Sequence, residues 1–124
     1  MRALIVDDSS TMRSVLRMTL RAQGMETLEA ADGSEALQRL QESGEVDLAL
    51  VDWNMPRMNG FEFLRAVRAD HARDHMKVVM VTTETELAQV QIALQRGANE
   101  YIMKPFTRDS VLNKLQLLGL VQQS

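Results

Sequence analysis

The 124-residue chain contains no cysteine, which excludes disulfide bonds, thiolate metal sites and cysteine nucleophiles. It has no excess of positive charge either, because its formal net charge is −3, and this argues against a basic surface for nucleic acid. No apolar run is long enough to cross a bilayer or to form the core of a signal peptide. We therefore expect a cytoplasmic protein with neither a membrane nor a nucleic-acid partner.

The remaining composition is typical of an ordinary globular domain. Hydrophobic residues make up 45% of the chain and charged residues 25%. A chain of this length can bury one core, and no linker-like or low-complexity segment divides it. We expect one domain over residues 1–124, without an attached output domain, and a monomer.

Short apolar runs alternate with segments in which apolar residues recur at helical spacing. The runs that predict strands lie at residues 3–6, 25–29, 48–51, 78–81 and 100–103. Each is followed by a predicted helix. Helix starts are indicated by Ser9, Ser10 or Thr11, any of which could cap the first helix, by Asp32-Gly-Ser-Glu35 before the second, and by Thr107 before the last. Five strands alternating with five helices predict an α/β fold, in which helices cover both faces of a parallel sheet.

Two local predictions concern individual helices. In the first helix, helical spacing places five residues on the face toward the sheet: Met12, Val15, Leu16, Thr19 and Ala22. Before the fourth helix, Thr83 and Glu86 have the spacing of a capping box.

Polar residues follow four of the predicted strands. Asp7 and Asp8 follow the first strand, Asp52 the third, Thr82 the fourth and Lys104 the fifth. The carboxyl ends of parallel strands meet at one edge of the sheet, where open α/β folds place their ligand sites. Each residue alone has an ordinary explanation as a turn, cap or surface residue. Their coincidence at one edge indicates a functional site.

The chemistry of these residues favours a metal ion and a phosphoryl group. Three neighbouring carboxylates repel one another, and burial makes their ionisation costlier, so a cation would stabilise them. Every available ligand is an oxygen, which favours Mg²⁺ and argues against zinc. An aspartate beside Mg²⁺, a lysine and a hydroxyl group is suited to nucleophilic attack on phosphorus. We therefore interpret Asp52 as a phosphoacceptor, with Lys104 and Thr82 assisting it.

Six short motifs surround these positions: Asp7-Asp-Ser-Ser-Thr-Met-Arg13, Asp52-Trp-Asn-Met-Pro56, Met58-Asn-Gly60, Met80-Val-Thr82, Ala98 with Tyr101, and Lys104-Pro-Phe106. Together they resemble the motifs of the response regulator receiver domains of two-component signalling, in particular the single-domain chemotaxis regulators. The resemblance implies a doubly wound, flavodoxin-like sheet in the order 2-1-3-4-5. It also implies a phosphorylation-activated switch, with no classical enzyme activity, that changes its partner-binding face.

The resemblance also implies a metal-binding role for several residues. A histidine kinase would transfer its phosphoryl group to Asp52. Asp8 would bind Mg²⁺ directly and Asp7 through a water molecule. The backbone carbonyl of Asn54 would be a further ligand.

Other residues would respond to the phosphoryl group. Lys104 would bind a phosphoryl oxygen, held in place by a cis bond to Pro105. Thr82 would move to donate a hydrogen bond to the group, and Tyr101 would turn inward. The fourth helix, fifth strand and fifth helix would then present a changed docking face, with contacts expected at Val90, Tyr101 and Lys114.

Two further positions are expected to set how long the phosphoryl group lasts. Asn54 and Glu84 lie two residues after Asp52 and Thr82, where the family's residues contact the attacking water. Thr83 is larger than the small residue usual in the family, so it could narrow access to the site, or it could simply cap the next helix.

The expected partners are a histidine kinase, a phosphorylation-dependent target such as the flagellar motor switch, and a phosphatase. A phosphorelay intermediate or an adaptor outside chemotaxis is an alternative. So is a small Mg²⁺-dependent aspartyl-phosphate hydrolase, although such enzymes have an acid where this chain has Asn54. A flavin carrier or a phosphate-independent binding module would not explain the acidic residues at the edge.

Overall fold

The computed structural model describes residues 1–121 as one α/β layered fold. The strands are β1 (Arg2–Val6), β2 (Glu26–Ala30), β3 (Leu48–Asp52), β4 (Lys77–Thr82) and β5 (Glu100–Met103). The helices are α1 (Ser10–Arg21), α2 (Gly33–Ser43), α3 (Gly60–Ala69), α4 (Leu87–Gln95) and α5 (Arg108–Leu117). Short 3₁₀ turns cover His71–Arg73 and Glu84–Glu86.

The sheet is parallel and has the order β2-β1-β3-β4-β5, which confirms the predicted topology. β3 lies at the centre, and all five of its residues are buried, including the terminal Asp52. A strand covered on both faces needs a continuous apolar sequence, and Leu48 to Val51 supply it. Asp52 therefore ends a strand that is buried along its whole length.

Alternate residues of the strands pack into two separate cores. On β1, Leu4 and Val6 belong to the core beneath α2, α3 and α4, while Ala3 and Ile5 belong to the core beneath α1 and α5. This alternation follows from the two-residue period of a strand. Within residues 1–121, no helix is both long and apolar enough to cross a membrane.

Side chains cap the helices that begin near the carboxyl edge of the sheet. The side chain of Ser9 accepts a hydrogen bond from the Met12 backbone N–H at 3.2 Å, and Asp32 accepts one from the Glu35 N–H at 2.9 Å. Thr107 forms a capping box at the start of α5. These bonds satisfy backbone donors that would otherwise be unpaired. They therefore fix the residue at which each helix begins and the preceding loop ends.

The predicted inner face of α1 is partly wrong. Leu16 and Thr19 are buried as expected, but Val15 is 45% exposed and Ala22 is also exposed. Leu20 is fully buried in their place. The helix is rotated so that Leu16 and Leu20, one turn apart, contact the sheet, an orientation that the pattern of apolar residues alone did not determine.

The capping box predicted for Thr83 and Glu86 is also wrong. The side chain of Thr83 makes no capping bond, because a 3₁₀ turn intervenes and α4 begins only at Leu87. The Glu86 carboxylate points to other groups, described below. β2 also begins and ends one residue later than predicted, and β5 has the predicted bounds.

Gly60 allows α3 to approach the end of β3. A Cβ atom at this position would collide with the carbonyl oxygen of Asp52 and would lie 3.0 Å from the Cε atom of Met80. The Asp52 oxygen belongs to the backbone of a buried strand and cannot move freely, whereas the Met80 side chain lies in a fully buried core with little room to yield. The glycine therefore lets the helix start directly against the backbone of the central acid.

We predict that Gly60→Ala lowers the free energy of unfolding by about 1–3 kcal/mol, because the added methyl group overpacks this contact. Urea unfolding at pH 7 measures the change. Ser10→Ala is the matched control, since it alters the first residue of α1 at an exposed position and should change stability by less than about 0.5 kcal/mol. Equal stability of Gly60→Ala and wild type would contradict the prediction.

Candidate functional site

The strand order brings the predicted polar residues to one edge of the sheet. β1 and β4 flank β3, so the chain segments after Val6 and Thr82 lie on either side of Asp52. Backbone bonds continue beyond the strands: the Trp53 N–H donates to the Val81 carbonyl at 2.9 Å, and the Lys104 N–H donates to the Thr82 carbonyl at 2.6 Å. Main-chain hydrogen bonds therefore hold the segments that follow β3 and β5 beside the end of β4.

Asp7, Asp8 and Asp52 form an acidic cluster at this edge. Each offers a carboxylate oxygen, and these oxygens lie within 4.8 Å of one another. Asp7 and Asp52 are buried, whereas Asp8 is exposed. The carboxylate of Asp7 is oriented by the backbone N–H of Ser9, which donates to Oδ1 at 2.9 Å.

Lys104 contacts two members of the acidic cluster. Its Nζ atom lies 3.0 Å from Oδ1 of Asp52 and 3.4 Å from Oδ2 of Asp7. The peptide bond to Pro105 is cis, as the resemblance implied. One ammonium group thus faces three carboxylates, and the edge keeps a net negative charge of about −2 when all are ionised.

The charges change the acidity of Asp52 and Lys104. Burial and the neighbouring Asp7 carboxylate raise the pKa of Asp52 from 3.8 to about 6, although Lys104 opposes the rise. Burial by itself would lower the pKa of Lys104, but the bonds and charges of Asp52 and Asp7 raise it above its usual value. Lys104 is therefore charged at neutral pH.

The Thr82 hydroxyl makes no hydrogen bond to Asp52 in this conformation. Its hydroxyl group donates to Oε2 of Glu86 at 3.2 Å and also lies 3.3 Å from the carbonyl oxygen of Thr83. The other oxygen of Glu86 accepts hydrogen bonds from the Asn54 side-chain amide at 2.5 Å and from the Thr83 hydroxyl at 3.1 Å. Sequence reasoning missed this role of Glu86, since its distance from Thr83 suggested a helix cap.

Glu84 is exposed on the same 3₁₀ turn as Glu86. The acid of this turn that bonds to Thr82 and Asn54 is thus Glu86, four residues after Thr82. Glu84, the acid predicted to act at the site, is exposed to solvent. The signal that could have identified Glu86 is its one-turn separation from Thr82, if a helical turn starts directly after the strand.

Tyr101 lies beside the fifth helix and packs against the core. The Nζ atom of Lys114 is 4.5 Å from the centre of its ring and 3.1 Å from a carboxylate oxygen of Glu100. Val90, predicted as a partner contact, is only 1% exposed because it lies on the buried face of α4. That prediction is wrong for this conformation.

Trp53 and Phe61 form the wall of an open cleft next to Asp52. Their ring centroids lie 5.8 Å apart, and the cleft of about 440 Å³ also contacts Asn54 and Ile92. Trp53 is 9% exposed, so its indole is largely covered while its backbone adjoins the acid. Its fluorescence is therefore expected to respond to changes at the site.

The acidic cluster fits a magnesium ion. Its three carboxylates supply only oxygen ligands, at separations that one small cation can bridge. One of the three is exposed, which leaves room for the water molecules that Mg²⁺ usually retains. The donor set is therefore consistent with Mg²⁺ and unlike that of a zinc site.

Comparison with known proteins agrees with this geometry. The family model of the response regulator receiver domain matches residues 3–116. The chain belongs to the response regulator receiver family. As a receiver domain it is a phosphorylation-activated signalling switch and not a conventional enzyme.

The relatives are similar over nearly their whole length. The chemotaxis protein CheY of Pseudomonas aeruginosa is 47% identical over 117 residues, which cover 94% of this chain and 94% of that protein. CheY1 of Helicobacter pylori is 43% identical over 119 residues, covering 95% and 96% respectively. The structure of the chemotaxis response regulator CheY4 of Vibrio cholerae has a TM-score of 0.87 at 38% identity, covering 94% of this chain and 97% of that chain.

We predict that Asp52→Asn stabilises the receiver domain at pH 7 by about 1–2 kcal/mol, because it removes a buried charge whose pKa is raised. The penalty in the wild type is absent below pH 3.8, where Asp52 is protonated in both the folded and unfolded chain, and develops as the pH rises to about 6. The difference in unfolding free energy should therefore grow over this range.

Urea unfolding between pH 4 and pH 7, without divalent cations, measures this difference. Asp74→Asn is the control, since its side chain is 60% exposed. A stability gain of Asp52→Asn that stays constant with pH would contradict the assigned cause.

Proposed function

We propose that this receiver domain accepts a phosphoryl group on Asp52 from a histidine kinase and thereby changes its affinity for a protein target in chemotaxis. The observation that carries the proposal is the 3.0 Å contact between Lys104 and Asp52 within the acidic cluster. A buried carboxylate, two further acids and an ammonium group are the parts that phosphoryl transfer to aspartate needs.

In the transfer, a carboxylate oxygen of Asp52 attacks the phosphorus atom of the kinase phosphohistidine. An O–P bond forms as the P–N bond breaks, and the imidazole leaves with the electron pair and takes up a proton. The Lys104 ammonium, now 3.0 Å from Asp52, is close enough to neutralise a phosphoryl oxygen on the product. Because Asp52 is buried and the Lys104 side chain is only 23% exposed, solvent weakens this charge interaction less than it would at the surface.

Mg²⁺ would be held by Asp8 directly, by Asp7 through water, by the Asp52 carboxylate and by the backbone carbonyl of Asn54. When bound, it supplies positive charge that offsets the repulsion between the carboxylates and the incoming phosphoryl oxygens. The separation of the three carboxylates supports this ligand set.

Phosphorylation is proposed to act through Thr82 and Tyr101. The hydroxyl of Thr82 would leave its present acceptors and donate to the phosphoryl group. Tyr101 would then turn inward and change the face formed by α4, β5 and α5. The phosphoryl group shifts this equilibrium only by the difference in its interaction with the two states.

The lifetime of the phosphoryl group is proposed to depend on Asn54 and Glu84, as the resemblance implies. Thr83 lies directly after Thr82 and is partly exposed. Its bulk would slow the approach of the phosphodonor or of water. The exposed position of Glu84 gives it access to solvent.

The output is proposed to be contact with the flagellar motor switch in the cytosol, and a phosphatase would reverse the signal. The support is that relatives at 43–47% identity are named chemotaxis proteins. Tyr101 and Lys114 are the proposed contacts that remain accessible, since each is partly exposed. A pull-down with and without beryllofluoride would distinguish this output from a phosphorelay role by the partner that prefers the activated form.

We predict that beryllofluoride, which stands in for a phosphoryl group, changes the fluorescence of Trp53 when Mg²⁺ is present. The change is expected because Trp53 directly follows Asp52 and is largely buried. Asp52→Asn should abolish the response, whereas Glu45→Gln should keep it, since Glu45 is 83% exposed and precedes β3 at the opposite edge of the sheet. An unchanged response in Asp52→Asn would reject Asp52 as the phosphoacceptor.

We also predict that Mg²⁺ alone stabilises the folded chain, by about 2.7 kcal/mol at one hundred times its dissociation constant. The reason is that a cation removes the repulsion within the acidic cluster. Thermal unfolding with Mg²⁺ and with EDTA measures the effect, which Asp8→Asn should largely remove and Glu45→Gln should retain. A full magnesium effect in Asp8→Asn would exclude the proposed direct ligand.

A further inference from the structure

One carboxylate links the loop after Asp52 with the end of β4. Oε1 of Glu86 accepts a hydrogen bond from the Asn54 side chain at 2.5 Å, and Oε2 accepts one from the Thr82 hydroxyl at 3.2 Å. The Thr83 hydroxyl donates to Oε1 as well, at 3.1 Å. Glu86 itself is partly buried, so its bonds to Thr82 and Thr83 are partly shielded from water, whereas its bond to Asn54 is exposed.

The bond to Glu86 competes with the proposed action of Thr82. A threonine hydroxyl carries a single proton and can donate only one strong hydrogen bond at a time. While Thr82 donates to Glu86, it cannot donate to a phosphoryl oxygen on Asp52. The carboxylate is charged, which makes it a stronger acceptor than a neutral group and a stronger competitor.

Asn54 is held in the same way. Its side-chain amide faces Glu86 at 2.5 Å, on the side of the loop that follows the phosphoacceptor. The negative charge of Glu86 also disfavours the arrival of a further anion in this region. Both effects favour the unphosphorylated arrangement.

We propose that Glu86 is a positioning residue that holds Thr82 and Asn54 in the inactive arrangement and must release Thr82 on activation. This inference rests on the proposed function, since it specifies how the same site is regulated. Because Glu86 ends the 3₁₀ turn directly before α4, loss of its bonds also frees the segment that leads into α4. The release thereby connects the phosphoryl site to the face proposed for the partner.

We expect that weakening the hydrogen bonds accepted by Glu86 makes activation easier. In Glu86→Gln the charged acceptor becomes a neutral one, and we expect the apparent dissociation constant for beryllofluoride with Mg²⁺ to fall about fivefold. Glu86→Ala, which removes the acceptor entirely, should lower it at least as much. Titration followed by Trp53 fluorescence measures the constant, and Glu45→Gln, which removes the same charge at the opposite edge, should leave it within about twofold of wild type.

A double-mutant cycle with Thr82→Ala separates the hydrogen bond from a general structural effect. If Glu86 acts by holding the Thr82 hydroxyl, Glu86→Gln should lower the dissociation constant by a smaller factor in the Thr82→Ala background than in wild type, and the bond to Asn54 and the charge of Glu86 account for the part that remains. A purely structural contribution of Glu86 would give the same change in both backgrounds. Urea unfolding of each variant confirms that all four proteins of the cycle are folded.

The ligand-free protein provides a second readout. The NMR signals of the Asn54 side-chain amide should shift in Glu86→Gln and remain unchanged in Glu45→Gln, because only Glu86 accepts its hydrogen bond. This measurement needs neither Mg²⁺ nor a phosphoryl analogue.

These experiments separate a failure of the role proposed for Glu86 from a failure of the proposed function. If the wild type does not respond to beryllofluoride, the proposed function fails and the inference fails with it. If the wild type responds but Glu86→Gln binds with unchanged or weaker affinity, only the role of Glu86 is overturned. An equal effect of Glu86→Gln with and without Thr82 would overturn it as well.

Discussion

The structure depends on the concentration of negative charge at the carboxyl edge of its sheet. Asp7 and Asp52 are buried there, beside Asp8, and one lysine opposes all three. Such an arrangement is unfavourable in the absence of a cation, since burial and the Asp7 carboxylate raise the pKa of Asp52. The same imbalance makes the site receptive to a cation, and with that cation to a phosphoryl group. The repulsion between the carboxylates thus both lowers the stability of the folded chain and raises its affinity for a cation.

The backbone holds these charges together. Parallel pairing of β1, β3 and β4 fixes the spacing of the strand ends, and the Lys104 N–H is bonded to the Thr82 carbonyl at 2.6 Å. Gly60 lets α3 begin against the main chain of Asp52. Because these are main-chain constraints beside two well-packed cores, the backbones that carry the buried Asp7 and Asp52 cannot move apart without disrupting the sheet.

The turn between β4 and α4 is connected to the site mainly by side chains and not by main-chain pairing. Its contacts to the site are side-chain hydrogen bonds made by Glu86, which can exchange for others without breaking the sheet. A rigid acidic cluster beside a turn with exchangeable bonds is a suitable arrangement for a switch. In the proposed switch, the chemistry occurs where the backbone is fixed, and the response begins at side-chain hydrogen bonds that can exchange.

The sequence by itself determined the order of elements and the edge where Asp52, Lys104 and the other acids meet. Both follow from local rules: buried parallel strands need continuous apolar runs, and their carboxyl ends lie on one side. Only the tertiary structure decided the rotation of α1 about Leu16 and Leu20, and the partners of Glu86. A hydrophobic pattern allows several neighbouring rotations of a helix, and a polar side chain can cap a helix or reach across a loop. Which of these occurs depends on packing against residues distant in the chain.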